Sequence, residues 1–329
     1  MQFKTTIDVP HSAFEISHAQ KGMSVGSCFS TNIGSRLHNA KFPILVNPLG
    51  TIYNPVSIAN TIDLLLGTKA FDEQQVFFAN GVWQSYYLHT SFSSVTKDEV
   101  LRKFHAVKED FQQNFKSLDY VILTLGTAWV YELKSSKQIV NNCHKTPASQ
   151  FNRRRLSVAE CVSVLKHAIE QLRNENPNLH IIFTVSPIRH WKDGAHENQV
   201  SKSTLFLAIE ELQNSLRNVF YFPAYELLMD DLRDYRFYAD DMLHPSDFAV
   251  EYIWEKFSET YFSKETKDVI KQIDSIQKAL EHKPFNAESE AYKEFLTKQK
   301  LLCDDIQTKY HICMREELSD FNSQLSVAK

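Results

Sequence analysis

The sequence predicts an α/β fold: a three-layer α/β/α arrangement with a central parallel sheet of about five strands, followed by a C-terminal helical extension. Three observations carry this. Five short, apolar runs recur along the chain, separated by stretches long enough for a helix, which is the alternation of a layered α/β domain. The intervening stretches repeat apolar residues every three to four positions, the period of an amphipathic helix. From about Ser263 the chain becomes charged and helix-favouring, and it contains no glycine.

The five strands are Gly22–Val25, Pro43–Val46, Tyr120–Leu125, His180–Val185 and Val219–Phe222. After the first, Phe29, Ile33 and Leu37 share one helical face. After the second, Ile58, Ile62 and Leu65 do so, and the pattern stops at Gly67. Leu101, Phe104, Val107, Phe111 and Phe115 make a long stripe before the third strand. Ser157 and Glu160 form a capping-box pattern that opens the helix before the fourth. Right-handed crossovers arrange such units as a parallel sheet with helices on both faces, and sites in such sheets lie at the carboxyl ends of the strands. Residues 1–262 form this domain. In 263–329, Ile270, Ile273, Ile276 and Leu280 precede Pro284, and Tyr292, Phe295, Leu302, Ile306 and Tyr310 follow it. That spacing predicts a helical hairpin, either packed on the main domain or mediating self-association.

Composition narrows the function. The chain has 329 residues, 43% hydrophobic and 12% aromatic, enough for a large core, and a net charge of −4. Such a balance argues against a general nucleic-acid or anionic-membrane binder. Arg153, Arg154 and Arg155 cluster, which reads first as a solvated loop. No stretch approaches the roughly 20 apolar residues of a membrane span, and the first residues lack a signal-peptide pattern. Five cysteines, an odd set without paired-ligand spacing, suit a reducing compartment, so the cytoplasm is the expected location. No phosphate-binding or dinucleotide-binding loop is present, so no cofactor is expected. Cys143, His144, His190 and His196 match no standard metal-ligand spacing, and no metal is expected.

Four stretches can carry chemistry. Gly26-Ser27-Cys28-Phe29-Ser30 ends the first strand and runs straight into a helical pattern. A glycine at such a turn leaves the next side chain standing above the sheet. The helix N-terminus then supplies free N–H groups and partial positive charge, which favour a thiolate and hold a developing oxyanion. A buried cysteine in a small-residue turn is the competing reading. Near the domain's end, Asp241 and His244 lie three apart, before the helix start Pro245-Ser246. This spacing lets the carboxylate fix one ring nitrogen and leaves the other for a nucleophile, Cys28 or Ser27.

Gly126-Thr127-Ala128-Trp129 closes the third strand and enters a hairpin that turns at Ser135–Ser136. In a two-residue-turn register Ala128 faces Cys143 and Thr127 faces His144, which returns Asn142, Cys143 and His144 to the sheet end. Gly50, after the second strand, offers an N–H as oxyanion donor. Arg189 and His190, after the fourth, either bind a polar or anionic substrate or, for Arg189, tie to a structural carboxylate. Phe77 to Trp83 reads as a hairpin turned by Asn80-Gly81; with Tyr86 and Tyr87 its rings either wall the pocket or simply pack.

Taken in order, Gly26-Ser27-Cys28-Phe29-Ser30, Gly126-Thr127-Ala128-Trp129-Val130-Tyr131, Asn142-Cys143-His144-Lys145, Ser186-Pro187-Ile188-Arg189-His190 and Asp241-x-x-His244-Pro245-Ser246 resemble the GSCFA-domain family over about residues 21 to 257. Only the last letter of the first motif departs. The resemblance implies a grouping with the SGNH or GDSL hydrolases, a fold that hosts esterases, deacetylases and acyltransferases. It implies a nucleophile after the first strand, a glycine and an asparagine after the second and third as oxyanion donors, and an Asp-x-x-His before the last helix. Gly50 is similar to the glycine element, and Asp241 with His244 to the last. Laid over Gly-Asp-Ser, the first motif puts Cys28 at the nucleophile and Ser27 in the place of the preceding acid. Ala128 stands where the asparagine is expected, and Asn142 is the substitute that the hairpin register offers. The implied activity is an ester or thioester hydrolase or acyltransferase working through an acyl-enzyme. Its substrate is a small molecule or a carbohydrate ester, with Gly126, Thr127, His144, Arg189 and His190 around it. The alternative is a catalytically silent binding or scaffolding protein on the same fold.

Overall fold

The central strands are buried along their whole length, which places helices on both faces of the sheet. The computed structural model of the protein describes residues 5–327. In chain order the first elements are β1 (Gly22–Gly26), α1 (Cys28–Asn39), β2 (Ile44–Val46), α2 (Pro55–Leu66), β3 (Phe77–Ala79), β4 (Val82–Gln84) and α3 (Lys97–Asp110). They are followed by β5 (Tyr120–Leu125), β6 (Trp129–Leu133), β7 (Phe151–Arg155), α4 (Val158–Glu175), β8 (His180–Val185) and α5 (Gly194–Ser215). Then come β9 (Val219–Tyr221), the single turn α6 (Ala224–Glu226) and α7 (Asp247–Tyr261). The five core strands pair in parallel in the order β2-β1-β5-β8-β9. Met23, Val25, Val121, Leu123, Ile181 and Phe183 point to one face and join a core with side chains of α2, α3, α4 and α5. Their neighbours Ser24, Ile122 and Ile182 point the other way and are buried as well. On that face the Ser24 hydroxyl bonds Ser30 of α1 (2.6 Å), and Phe222 meets Phe257 of α7 edge-on. The sheet is therefore a middle layer between helices, as the sequence predicts.

Most boundaries follow from local chemistry. The Asn54 side chain caps α2, which has Pro55 at its start and ends at Gly67. The Ser157–Glu160 capping box opens α4. The stripe of α3 continues through one π turn, Phe111–Phe115. The long helix α5 has no clear sequence signature, because its inner face is partly polar: Asn198, Ser201, Lys202 and Thr204 are buried there beside Leu205, Ala208 and Ile209.

Two sequence expectations are corrected. The strand β6 pairs with β7, Trp129 opposite Arg155 and Leu133 opposite Phe151, so Arg153 to Arg155 form a strand and not a loop. The expected partner segment returns only as far as Val140, through Glu132–Ile139 and the Val140 N–H to Tyr131 O. Ala128 consequently accepts at its carbonyl from the Leu156 N–H and does not face Cys143. The C-terminal region has three helices instead of a hairpin: α8 (Lys264–Glu281), α9 (Glu290–Tyr310) and α10 (Arg315–Val327).

By contacts the described residues divide into two units, one of residues 5–10, 21–35 and 44–257, the other of residues 11–20, 36–43 and 258–327. In the second unit Ile273, Ile276, Leu296, Cys303, Ile306 and Phe321 form a core of their own. There Lys41 pairs with Glu317 at 2.5 Å and Phe42 stacks between His18 and Phe262. The third helix escaped notice because its inward residues, Leu318, Phe321 and Leu325, sit in a short and otherwise polar segment.

Gly26 sets the geometry at the end of β1. Its φ is 148°, and a Cβ there would lie 2.1 Å from the Thr124 carbonyl oxygen. Backbone on both sides cannot give way. Gly26→Ala is expected to lower stability by about 2–4 kcal/mol, read as a fall in the urea midpoint with an unchanged slope.

Candidate active site

Beyond Gly26 the chain enters α1 at once. The Ser27 N–H donates to Thr124 O (3.2 Å) and the Ser30 N–H to Ser27 O (2.8 Å), which starts the helix at Cys28. Asn47 pins this turn: its Oδ1 accepts from the Gly26 N–H (2.8 Å) and its Nδ2 donates to Thr31 (2.9 Å). The two candidate nucleophiles differ in access. Ser27 is 2% exposed, and its hydroxyl is sealed without a hydrogen-bond partner. Cys28 is half-buried at the first position of α1, on the wall of a cavity of about 600 Å³.

The loop after β2 adds a residue that sequence reasoning missed. The Gly50 N–H closes a turn onto Asn47 O (2.7 Å). It is therefore spent, and the expected donor role for Gly50 does not fit. The neighbouring Thr51 and Tyr53 reach the cavity instead. The Tyr53 hydroxyl lies 3.7 Å from Cys28 Sγ. Burial first, and then the neighbouring Cys28, push the phenol above its ordinary range, so it remains an O–H donor. The Tyr53 carbonyl accepts from both the Gly126 N–H (2.7 Å) and the Thr127 N–H (2.9 Å), which locks this loop to the end of β5. Nothing in the spacing of Thr51-Ile52-Tyr53 announces this; only the fold brings Tyr53 across to Cys28.

Asp241 and His244 meet as their spacing predicts. Asp241 Oδ2 accepts from His244 Nδ1 at 2.5 Å, and Oδ1 accepts from the N–H groups of Leu243 and His244, each at 2.9 Å. Those bonds, the backbone ones foremost, pull the carboxyl down to about 2, so it is an anion. The loop is braced by the Ala239 N–H to His244 O and by the Tyr238–Pro245 bridge, and Ser246 caps α7 through the Ala249 N–H. His244 borders the same cavity as Cys28, with Nε2 as the nitrogen left over.

The remaining candidates separate. Thr127, Asn142, Arg189 and His190 line the cavity; Gly126 and His144 do not. At Gly126 an added Cβ would sit 3.1 Å from Tyr53 O and 3.2 Å from His190 Nε2. Its role is thus to let those two groups close in, not to touch substrate. His144 is 6% exposed, and its Nε2 is bonded to the carbonyls of Ser85 (2.7 Å) and Leu88 (3.0 Å), a structural clamp in place of the expected substrate contact. Asn142 arrives by a different path from the predicted register, held through its N–H to Tyr86 O. The Thr127 hydroxyl is engaged by Ser201 (3.0 Å). Ala128 is buried, and its N–H is taken by Ser201 Oγ (2.8 Å). The aromatic hairpin β3–β4 packs, Phe77 against Tyr86 and Phe78 against Trp83, and stays out of the cavity wall.

Under this rim lies Lys202, 1% exposed, its Nζ donating to Ser186 O at 2.7 Å. Burial, then the nearby Arg189 charge, push its amine down to about 7. His190 is pushed down to about 4 by burial, then by Lys202. Among the described residues no three of His, Cys, Asp and Glu form a metal-holding group, and no helix is long and apolar enough to cross a membrane.

A cysteine at a helix start and an Asp-bonded histidine share one cavity beyond the carboxyl ends of the parallel sheet of this α/β protein. The chain belongs to the GSCFA family, whose model matches residues 21–257, and residues 273–327 match the C-terminal domain of GSCFA domain proteins. No curated protein matches the chain.

His190 gives the site a pH signature. The unfolded ring titrates near 6.5 and the folded one near 4, so the unfolded chain binds the extra proton in between. Stability contributed by the neutral ring is complete above 6.5 and lost as pH falls toward 4. Urea midpoints measured across that window are expected to drop more steeply for wild type than for His190→Gln.

Proposed function

We propose that the protein is a thiol-dependent acyl hydrolase or acyltransferase of the SGNH type, acting on an ester or thioester of a small molecule or carbohydrate. One observation carries this: Cys28, open to the cavity at the start of α1, shares that cavity with a histidine held by an anionic carboxylate. The strand order supports the grouping, since counting core strands alone it is the doubly wound 2-1-3-4-5 pattern. A volume of about 600 Å³ suits a small-molecule site.

In this reading His244 Nε2 takes the Cys28 thiol proton as Sγ adds to the carbonyl carbon. Asp241 stays ionised and steadies the imidazolium. The oxyanion receives hydrogen bonds from the Cys28 N–H, from the Thr51 N–H, which has no partner among the described residues, and from the Tyr53 hydroxyl. The side-chain amide of Asn142, weakly held by Thr90 at 3.4 Å, is a further donor. As the tetrahedral centre collapses, the carbon–oxygen or carbon–sulfur bond of the leaving group breaks, and His244 returns its proton to that group. Water or an acceptor alcohol, deprotonated by His244, then attacks the thioester and releases Cys28. Tyr53 thus replaces the donor that Ala128 cannot supply. Free thiols throughout the chain suit a reducing compartment, and we place the protein in the cytoplasm.

The silent-binding reading is favoured by one observation, the buried Ala128 where an asparagine is expected. The two separate in a screen of short-chain thioesters and aryl esters combined with site-resolved iodoacetamide labelling. Cys28→Ala should abolish turnover, and His244→Ala should slow labelling of Cys28 while leaving Cys313 unchanged. Tyr53→Phe should reduce kcat by about 10² with KM nearly constant, the effect of losing one oxyanion donor, and Asn142→Ala should do the same if its amide shares that role. Turnover that survives Cys28→Ala would overturn the thiol mechanism; no turnover of any ester or thioester, with labelling indifferent to His244, would leave only the binding reading.

A further inference from the structure

One wall of the cavity holds three cations and one carboxylate. Arg153, Arg189 and Lys192 border it, with Asp193. Asp193 is committed, because it pairs with Arg153, whose guanidinium also lies 4.3 Å from the centre of the Trp129 ring. Arg189 is half-buried, and its guanidinium makes no ion pair or hydrogen bond among the described residues. Lys192 is exposed and, among the described residues, its Nζ donates to the Tyr131 hydroxyl at 3.2 Å. The other carboxylates nearby are matched elsewhere, Asp241 to His244 and Glu197 to Arg155. Two uncompensated cations beside a candidate nucleophile form an anion-binding surface in a cleft, where opposite charge is worth more than in open water. His190 adds no cation of its own near neutral pH, since burial keeps its ring uncharged.

We propose that Arg189 and Lys192 form a subsite for a compact oxyanion, a carboxylate or phosphoryl group, carried by the acyl substrate that Cys28 attacks. This rests on the thiol-acyl reading and narrows it. Neutral esters then bind poorly, and the substrates are acyl compounds with an anionic group a short distance from the reacting carbonyl. Arg is suited to this because its fork meets an oxyanion with two parallel hydrogen bonds, while Lys supplies a point charge.

The test compares two alkylating reagents that differ by one charge, iodoacetate and iodoacetamide, on the full chain. The exposed Cys313 serves as an internal reference. The iodoacetate-to-iodoacetamide rate ratio at Cys28 is expected to exceed that at Cys313 by about tenfold, to fall with added salt, and to return to the Cys313 value in the Arg189→Gln/Lys192→Gln variant. Succinate and inorganic phosphate, added separately, should protect Cys28, and the better protector identifies the oxyanion. Rapid iodoacetamide labelling with no anionic preference and no protection overturns the subsite and leaves the thiol chemistry standing. If Cys28 is slow toward both reagents, the thiol reading fails, and the subsite is judged by quenching of the tryptophan fluorescence. Iodide should then quench more strongly than caesium in wild type, with the advantage reduced in the double variant; equal quenching in the two proteins overturns it.

Discussion

The site depends on a single close contact between backbones at the end of β1. Gly26 lies against the Thr124 carbonyl, a distance no side chain permits, and from there the chain must turn immediately into α1. That turn seals Ser27 beneath the backbone and lifts Cys28 to the first helical position. Asn47 holds the same point from the second strand, bonding the Gly26 N–H on one side and Thr31 on the other. Which of the two adjacent candidate nucleophiles reaches the cavity is thus decided by backbone sterics before any question of chemistry arises.

The region around Cys28 is assembled by polar atoms buried beneath it. The Tyr53 carbonyl gathers two N–H groups from the end of β5, Ser201 takes the next one at Ala128, and the Asn198 side chain accepts from the His190 N–H at 2.9 Å. Lys202 holds the Ser186 carbonyl in the same layer. Burying a polar group is costly unless it is bonded, and here α5 contributes most of those bonds. A helix whose inner face serves the loops above it cannot also be purely apolar, which is why its sequence looks less regular than its neighbours'.

That trade explains what was legible in the sequence. Strands β1, β2, β5, β8 and β9 were readable within a residue or so, because each is a short, largely apolar run, and β1, β5 and β8 are buried on both faces. The Asp241–His244 pair was readable because it is local, three residues in one loop. The register after β6 was not, since Trp129 to Leu133 had two possible partners and Arg153 to Arg155 look like solvent-facing residues. Their charges are in fact absorbed by Trp129, Asp193, Glu160 and Glu197. Tyr53 was missed for the opposite reason: its significance is a distance to a residue 25 positions away. His144 had every mark of a functional histidine, but it holds two carbonyls together in the interior.

The histidine and aspartate of the site are each about half open to solvent, whereas the wall bearing Arg153 and Trp129 is more enclosed. The two ends of a bound acyl compound would therefore meet different worlds. The part lying toward Arg189 is measured by walls of fixed size and charge. The part leaving past His244 departs toward bulk water, where its length is not gauged. Under the proposed acyl chemistry, such an arrangement would be selective about the group taken up and permissive about the group let go, and it would keep His244 in direct exchange with the surrounding water.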